Sequence, residues 1–466
     1  MKKSWLYLSI CFIFAAFVAS FIFISGKLIE SEISSFKFSQ IVKSQTATKE
    51  TEKKERQGIE NIKNPKKENE VQKEEFQKEV IDGIVVLYQL DKNLIWQKIK
   101  EGKEFLLRME KDGGFHKYYF ALEDEFEERL HTPYSASIVY TFLYLSELEK
   151  DEKILEKLPE WGDFLLSMQN KEKKHFGAFH YSIFLENKEK EKKFVVGTSA
   201  LTIMTLLKLY EFTQNQKYLE SAKLAGDWLI TMQQDDGKML PYVRFSDGKW
   251  FYGQKESLLY EGQVMTALSR LYLATKEEKY KETAKKIAER FVKKYEKEGG
   301  FIQGEYRPKN PISNAWVVMS LMEFYKVKPE EKYKKVIFEL ADKILKEQRK
   351  DPKDPLNYGS FKGVYSSSGV GWISEVMTEL FRFCKKEREE NCQKYKDSVI
   401  SSIRWLIGYT YSKENSQNLK NPERAQGGIF WSKDKKYVRT DSVCHALNSY
   451  IRIFEFLEDD ILLSLK

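Results

Sequence analysis

The chain has 466 residues, of which 42% are hydrophobic and 14% aromatic, enough for one large domain or two ordinary ones. Its formal net charge is +8, a mild excess that lysine-rich solvated helix faces can account for. No basic block is interleaved with aromatics, which argues against a nucleic-acid partner. No CxxC pair, clustered Cys/His set, P-loop, nucleophile elbow or zincin motif occurs, so the sequence suggests no metal or other cofactor.

Lys2 and Lys3 lie in residues 1–4 and precede an uncharged run from Trp5 to Ser25. At about 1.5 Å per residue this run spans roughly 30 Å, the thickness of bilayer hydrocarbon. Lysines before it and Glu30 and Glu32 after it favour an N-terminus inside and a body outside the cytoplasm. An uncleaved anchor over 5–25 is expected. The alternative is secretion after a cut at Val18-Ala19-Ser20, which would leave Phe21-Ile22-Phe23-Ile24 exposed. Residues 26–85 read as a largely disordered linker. From 41 to about 80 they carry almost no large apolar residues with which to offset the entropy of ordering.

The body, 86–466, is built on a repeat. Phe105-Leu106-Leu107-Arg108-Met109, Phe164-Leu165-Leu166-Ser167-Met168 and Trp228-Leu229-Ile230-Thr231-Met232 are one pattern of helix end. Weaker copies start at Phe291, Lys343 and Trp405, so the unit recurs every 52 to 64 residues. A turn containing glycine, most with an aromatic close by, follows each copy: Gly113-Gly114-Phe115, Gly177-Ala178-Phe179, Gly237, Gly299-Gly300-Phe301, Gly359-Ser360-Phe361 and Gly427-Gly428-Ile429-Phe430. Glycine supplies the positive φ that ends a helix. After a variable loop, a second helix begins near Tyr134, Thr198, Tyr260, Ser313, Trp372 and Asp441.

The two helices of a unit differ physically. Lys279–Lys297 is amphipathic, with Tyr280, Ala284, Ile287, Ala288, Phe291 and Tyr295 at helical spacing, and should lie outside with one wet face. Val264–Ala274 is apolar over most of its circumference and should pack inside. Hairpins of this kind cannot bury themselves singly, but stacked they can. Six units point to closure, as a ring of six inner helices within six outer ones.

Six helical hairpins joined by Gly-aromatic turns resemble the (α/α)6 toroid. That fold is shared by six-hairpin glycosidases, N-acylglucosamine 2-epimerases, several polysaccharide lyases, and terpene cyclases and prenyltransferases. The resemblance covers about 90–460 and implies an all-α toroid; the fold hosts many chemistries. Glu261-Gly262-Gln263 through Thr266, Leu268 and Arg270 to Tyr272-Leu273-Ala274-Thr275, with Gly299-Gly300, Glu305-Tyr306, Pro311 and Asn314, is similar to the C-terminal domain of D-glucuronyl C5-epimerases. Arg439-Thr440-Asp441 followed by His445 echoes that family's last Arg/Asp/His segment. The family places its catalytic tyrosine directly after that Asp, where this chain has Ser442.

In such a ring the inner helices begin at one mouth. Aligning them sets Ser135, Ser199, Glu261 and Asn314 at one level, with Glu375, Asp441 and His445 within about a turn. Polar groups in the first turn of apolar helices need partners, and capping between hairpins accounts for Ser135, Ser199 and Ser442. Glu261, beside Tyr260 in an apolar setting that would raise its pKa, suits a general acid or base. Asp441 and His445, four apart, share a helix face. They read either as a histidine oriented by a carboxylate or as a structural pair with Arg439. His131 is placed to line the mouth, and His116, His175 and His180 are read as surface residues.

Tyr118, Tyr119, Tyr181, Tyr242, Trp250, Phe251, Tyr252, Tyr306, Tyr365 and Trp431 crowd the same loops, and flat amphipathic rings suit the faces of sugars. The expected activity is modification of a polysaccharide or oligosaccharide, with uronate epimerisation implied by the resemblance and hydrolysis or elimination open. Glu261, Asp441, His445 and Glu375 are the catalytic candidates. The substrate contacts expected are Tyr134, Tyr260, Glu305, Tyr306, Arg307, Asn314, Trp316, Trp372 and Arg439. The alternative is a non-catalytic toroid binding glycan, or protein partners, in the envelope. Cys384 and Cys392 flank a charged helix–helix turn, where a disulfide and two free thiols are equally compatible with the spacing.

Overall fold

Among the described residues, six outer amphipathic helices alternate along the chain with six inner ones that are buried over most of their length. In the computed structural model, residues 78–304, 310–458 and 463–464 are described. The Trp5–Ser25 run, the linker up to residue 77, and Glu305, Tyr306 and Arg307 lie outside them. Among the described residues no helix is long and apolar enough to cross a membrane.

The outer helices are α1 (Lys92–Arg108), α3 (Glu152–Ser167), α5 (Gln216–Thr231), α7 (Glu278–Glu298), α9 (Glu331–Lys346) and α11 (Gln393–Gly408). The inner helices are α2 (Thr132–Leu148), α4 (Val196–Thr213), α6 (Leu258–Thr275), α8 (Pro311–Tyr325), α10 (Ser367–Lys386) and α12 (Thr440–Phe454). Helix α10 begins at Ser367, capped by Ser366, so Trp372 lies in its second turn and not at its start. The inner helices pack in sequence and α12 returns to α2, closing the ring; α12 also covers α1. An open arch would leave the facing sides of α2 and α12 wet, at about 1.5–3 kcal/mol for each large apolar side chain exposed.

The repeated helix ends fasten one unit to the next. Met109, Met168 and Met232 fill the core. The glutamine that follows in two units is a clamp on the next outer helix. Gln169 Nε2 donates to the carbonyls of Gly177 and Ser221, each at 2.9 Å, and Gln233 Nε2 to that of Thr283 at 3.0 Å. Gln348 repeats the contact with Ser398, also at 2.9 Å. The turn glycine lies against the same neighbour. At Gly177 (φ +88°) a Cβ would sit 2.3 Å from the Leu224 carbonyl oxygen. At Gly427 it would sit 2.1 Å from that of Glu101, so the last turn closes on the first outer helix.

The architecture is not purely helical. Lys78–Ile81 and Ile84–Leu87 form an antiparallel hairpin whose second strand is buried against α11, so the folded body starts before residue 86, within the expected linker. Short antiparallel pairs join the loops around the mouth. Arg129–His131 pairs with Ser182–Phe184, with Leu130 opposite Ile183. Lys193–Val195, Tyr242–Ser246 and Lys249–Tyr252 form a three-stranded sheet. Tyr118–Phe120 pairs with Val438–Arg439, setting Arg439 opposite Tyr118 and joining the last unit to the first. Cys384 and Cys392 are disulfide-bonded with a Cα–Cα distance of 5.7 Å, closing the turn from α10 to α11; Cys444 is a buried free thiol.

Gly177→Ala should destabilise the chain by about 1–3 kcal/mol, because the new Cβ meets a backbone carbonyl in a backbone conformation unfavourable to alanine. Urea unfolding with an unchanged slope checks this; an unshifted midpoint would show that the inter-unit contact is soft.

Candidate functional site

Polar residues near the inner-helix N-termini fall into two sets. The first faces the turn of its own hairpin. Ser135 Oγ accepts the Phe115 amide at 2.9 Å, Ser199 Oγ that of Phe179 at 3.1 Å, and Asn314 Oδ1 that of Ile302 at 2.8 Å. Glu261 belongs to this set: its Oε1 accepts the Met239 amide at 3.2 Å. These four residues are buried, staple a turn to an inner helix, and do not line the central cavity. Glu261 as the proton-transfer residue and Asn314 as a substrate contact are therefore corrected, since neither side chain reaches the space a ligand would occupy.

Burial pushes the Glu261 carboxyl up to about 8, helped by Glu256 and opposed by the Met239 amide, Arg290 and Lys294. Its Oε2 is buried without a partner. The anomaly that pointed to Glu261 is real, and its cause is a carboxyl occupying a position filled elsewhere by Ser or Asn.

The second set faces a cavity of about 370 Å³ at the mouth, a size suited to one or two sugar rings. Tyr134, Tyr260, Trp316, Trp372, Arg439, Asp441 and His445 line it, as does Gln263. The Trp316 and Trp372 indoles stack at 3.7 Å between centroids, and Trp372 meets the His445 ring edge-on at 5.1 Å. Of the loop aromatics singled out in the sequence, Tyr181 and Trp431 reach the cavity. Tyr119 is core, Trp250 stacks on Phe194, and Phe251, Tyr252 and Tyr365 are exposed away from its lining.

Asp441 and His445 share the cavity but are not partners. Arg439 grips Asp441 with both Nε (2.6 Å) and Nη2 (2.5 Å), and Ser368 Oγ donates at 2.8 Å. Burial alone would raise this carboxyl, but the guanidinium holds it below the ordinary carboxylate range. The group that orients His445 comes from the neighbouring helix α10. Glu375 Oε2 lies 2.7 Å from His445 Nδ1, and its Oε1 accepts from Asn448 Nδ2 at 3.1 Å. A carboxylate at Nδ1 fixes the proton there and leaves Nε2 as the basic nitrogen. Arg439 also lies over the Trp431 ring, 4.2 Å from its centroid, at the cavity wall. Asn448 and Ser368 were missed in the sequence; Asn448, one turn beyond His445 on the same face of α12, was the readable one.

The other histidines are structural. His131 is buried behind the lining with Nε2 3.1 Å from Glu127 Oε2. His116 and His180 are not surface residues: their Nδ1 atoms meet the carbonyls of Glu127 (2.7 Å) and Glu191 (2.9 Å) in matching loops. His175 packs against Trp250 at 4.6 Å. Among the described residues no cluster of His, Cys, Asp and Glu could hold a metal ion.

Residues 166–314 match the model of Glycosyl hydrolase family 76, and residues 260–409 that of Lanthionine synthetase C-like protein, each about a third of the chain. No curated protein matches the sequence. Among solved structures, cellobiose 2-epimerase from Bacillus thermoamylovorans aligns with a TM-score of 0.61 at 16% identity, over 78% of this chain and 100% of that one. An unsaturated glucuronyl hydrolase specific for heparin gives 0.57 at 12%, over 78% and 98%. The GH76 α-mannanase of Bacteroides thetaiotaomicron gives 0.54 at 15%, over 78% and 96%.

The chain is an (α/α)6 toroid. Its ring is built as in these carbohydrate-active proteins, and identities this low speak to the fold. The toroid's match to family 76 contains Tyr181, Tyr260 and Gln263 of the cavity but none of Glu375, Asp441 and His445.

Glu261 makes the stability of the fold depend on pH. Its folded pKa of about 8 exceeds the unfolded value of roughly 4.3, so the folded chain keeps a proton that the unfolded chain releases. Stability therefore falls as pH rises from about 4 and levels off above about 8. Glu261→Gln should abolish that fall, gaining up to about 4 kcal/mol over the wild type at pH 8. Urea unfolding from pH 5 to 9 measures it; parallel curves would mean the buried carboxyl is ionised.

Proposed function

We propose that this toroid is a carbohydrate-modifying enzyme that moves a proton at a sugar carbon, an epimerase or isomerase by reaction class. The observation that carries the reading is the His445–Glu375 pair: a carboxylate bonded to Nδ1 leaves Nε2 as a base in a cavity lined with indoles and phenols. A carbon beside a carbonyl gives its proton to Nε2. The charge that builds on the carbonyl oxygen is met by Arg439 and by phenol groups that burial keeps protonated at Tyr134 and Tyr181. Return of the proton to the opposite face, or to the neighbouring carbon, gives the epimer or the isomer. The stacked indoles and Tyr260 supply sugar-facing surface.

Glycoside hydrolysis is the second reading, favoured by the family-76 match. It needs one carboxyl kept protonated as acid and a second as nucleophile or base. Asp441 is ionised against Arg439, and Glu375 is committed to His445 and Asn448, which supports the proton-transfer reading over it.

His445→Gln should lower turnover at least 100-fold while glycan binding, followed by calorimetry, changes less than about threefold. In D2O the wild type should place deuterium on the altered sugar carbon. Release of new reducing ends without deuterium in the ring would establish hydrolysis and overturn the epimerase class.

We also propose that the body is held outside the cytoplasm by the Trp5–Ser25 run. The Cys384–Cys392 disulfide supports this placement, since such bonds persist in oxidising compartments. Protease added to intact cells should remove the body; full protection there, with cleavage after lysis, would reject it.

A further inference from the structure

The bore of the ring continues below the cleft. A second chamber, of about 60 Å³, shares Ser137, Leu201, Trp316, Trp372 and His445 with the cavity above. Thr266, Glu375 and Asn448 line the lower chamber alone. The dyad thus spans two compartments, with His445 bordering both and its carboxylate partner lining only the lower one.

Three side-chain atoms on residues lining this chamber have no protein partner although their residues are more than nine-tenths buried: Thr266 Oγ1, Trp372 Nε1 and Asn448 Oδ1. Leaving such groups unsatisfied is costly, because each loses its bonds to water without replacement. A small cavity with several unpaired polar atoms takes up water, and at roughly 10–15 Å³ per molecule this one has room for about four. The other ionisable groups facing it are Tyr140 and Tyr144 of α2, Arg270 of α6, Glu379 of α10 and the free thiol of Cys444 on α12. Helix α4 contributes none, and Glu323 of α8 bears on it through its ion pair with Arg270 at 2.9 Å.

We infer that the lower chamber holds a water column that exchanges protons with the Glu375–His445 pair from the side opposite the bound sugar. Its part in turnover rests on the proton-transfer reading above; the column itself does not. When Nε2 takes a proton from the sugar carbon, the Nδ1 proton passes to Glu375, and Glu375 gives one proton to a chamber water. The ring is left neutral with its proton on Nε2. It returns that proton to the sugar carbon as Nδ1 is reprotonated by the same route, which restores the base. One proton enters and one leaves at each stage, and no other reactant is needed.

The test follows the His445 Nδ1 proton by NMR in the full, sugar-free chain. Thr266→Leu, which removes a water anchor and fills the chamber, should slow its exchange with solvent at least tenfold relative to wild type and to Thr266→Ser. Unchanged exchange in a folded Thr266→Leu protein overturns the proposal. If that variant does not fold, a high-resolution crystal structure of the wild type decides. Ordered waters bonded to Thr266 Oγ1 and Asn448 Oδ1 support the column, and a dry chamber overturns it. A chain that turns over no sugar yet shows the Thr266-dependent exchange sinks the catalytic reading alone.

Discussion

Closure of six apolar helices into a ring is the constraint on which the rest depends. An inner helix is covered by an outer helix on one side and by two inner neighbours on its flanks, leaving only the bore for anything wet. Some polar side chains bond a neighbouring inner helix, as Ser374 does Ser449, but those near the mouth chiefly turn outward to bond their own hairpin's turn or inward to face the bore. Ser135, Ser199, Glu261 and Asn314 take the first course, and Glu375, Asp441, His445 and Asn448 the second. Positions at one level of the ring can thus differ completely in role.

The fold was legible because its signals are local and repeated. The Met-Gln helix end, the turn glycine and the wet-dry alternation recur, and each follows from a contact the structure contains: a buried thioether, an amide clamp, a glycine against a carbonyl. The site was legible in part. Which residues stand near the mouth follows from aligning the helices, and seven of the candidates line the cavity. Which way each faces depends on rotation about the helix axis, about 100° per residue; of the two readings left open for Asp441, the pair with Arg439 is present and the four-residue step to His445 is not a bond. Glu375 pairs with His445 across a helix boundary that no spacing within α12 can reveal.

The short strands mattered more than their length suggests. Arg439 is positioned by its pairing with Tyr118 immediately before α12 begins, so the contact that seals the last unit to the first also delivers the guanidinium to Asp441. Loop residues become site residues where the ring closes.

Electrostatics then separates two carboxyls that both stood among the catalytic candidates. Glu261 and Asp441 both occupy the first turn of an inner helix, where the helix dipole favours a negative charge. Desolvation raises both. At Asp441 a bidentate guanidinium in van der Waals reach of the carboxylate outweighs that cost, and the group stays charged. At Glu261 the cations, Arg290 and Lys294, are bonded to Glu256 instead, and a single backbone amide cannot compensate. The same residue class, at the same level of the same fold, is therefore a neutral staple in one unit and a fixed anion in another. The difference is set by whether a cation is bonded directly to it.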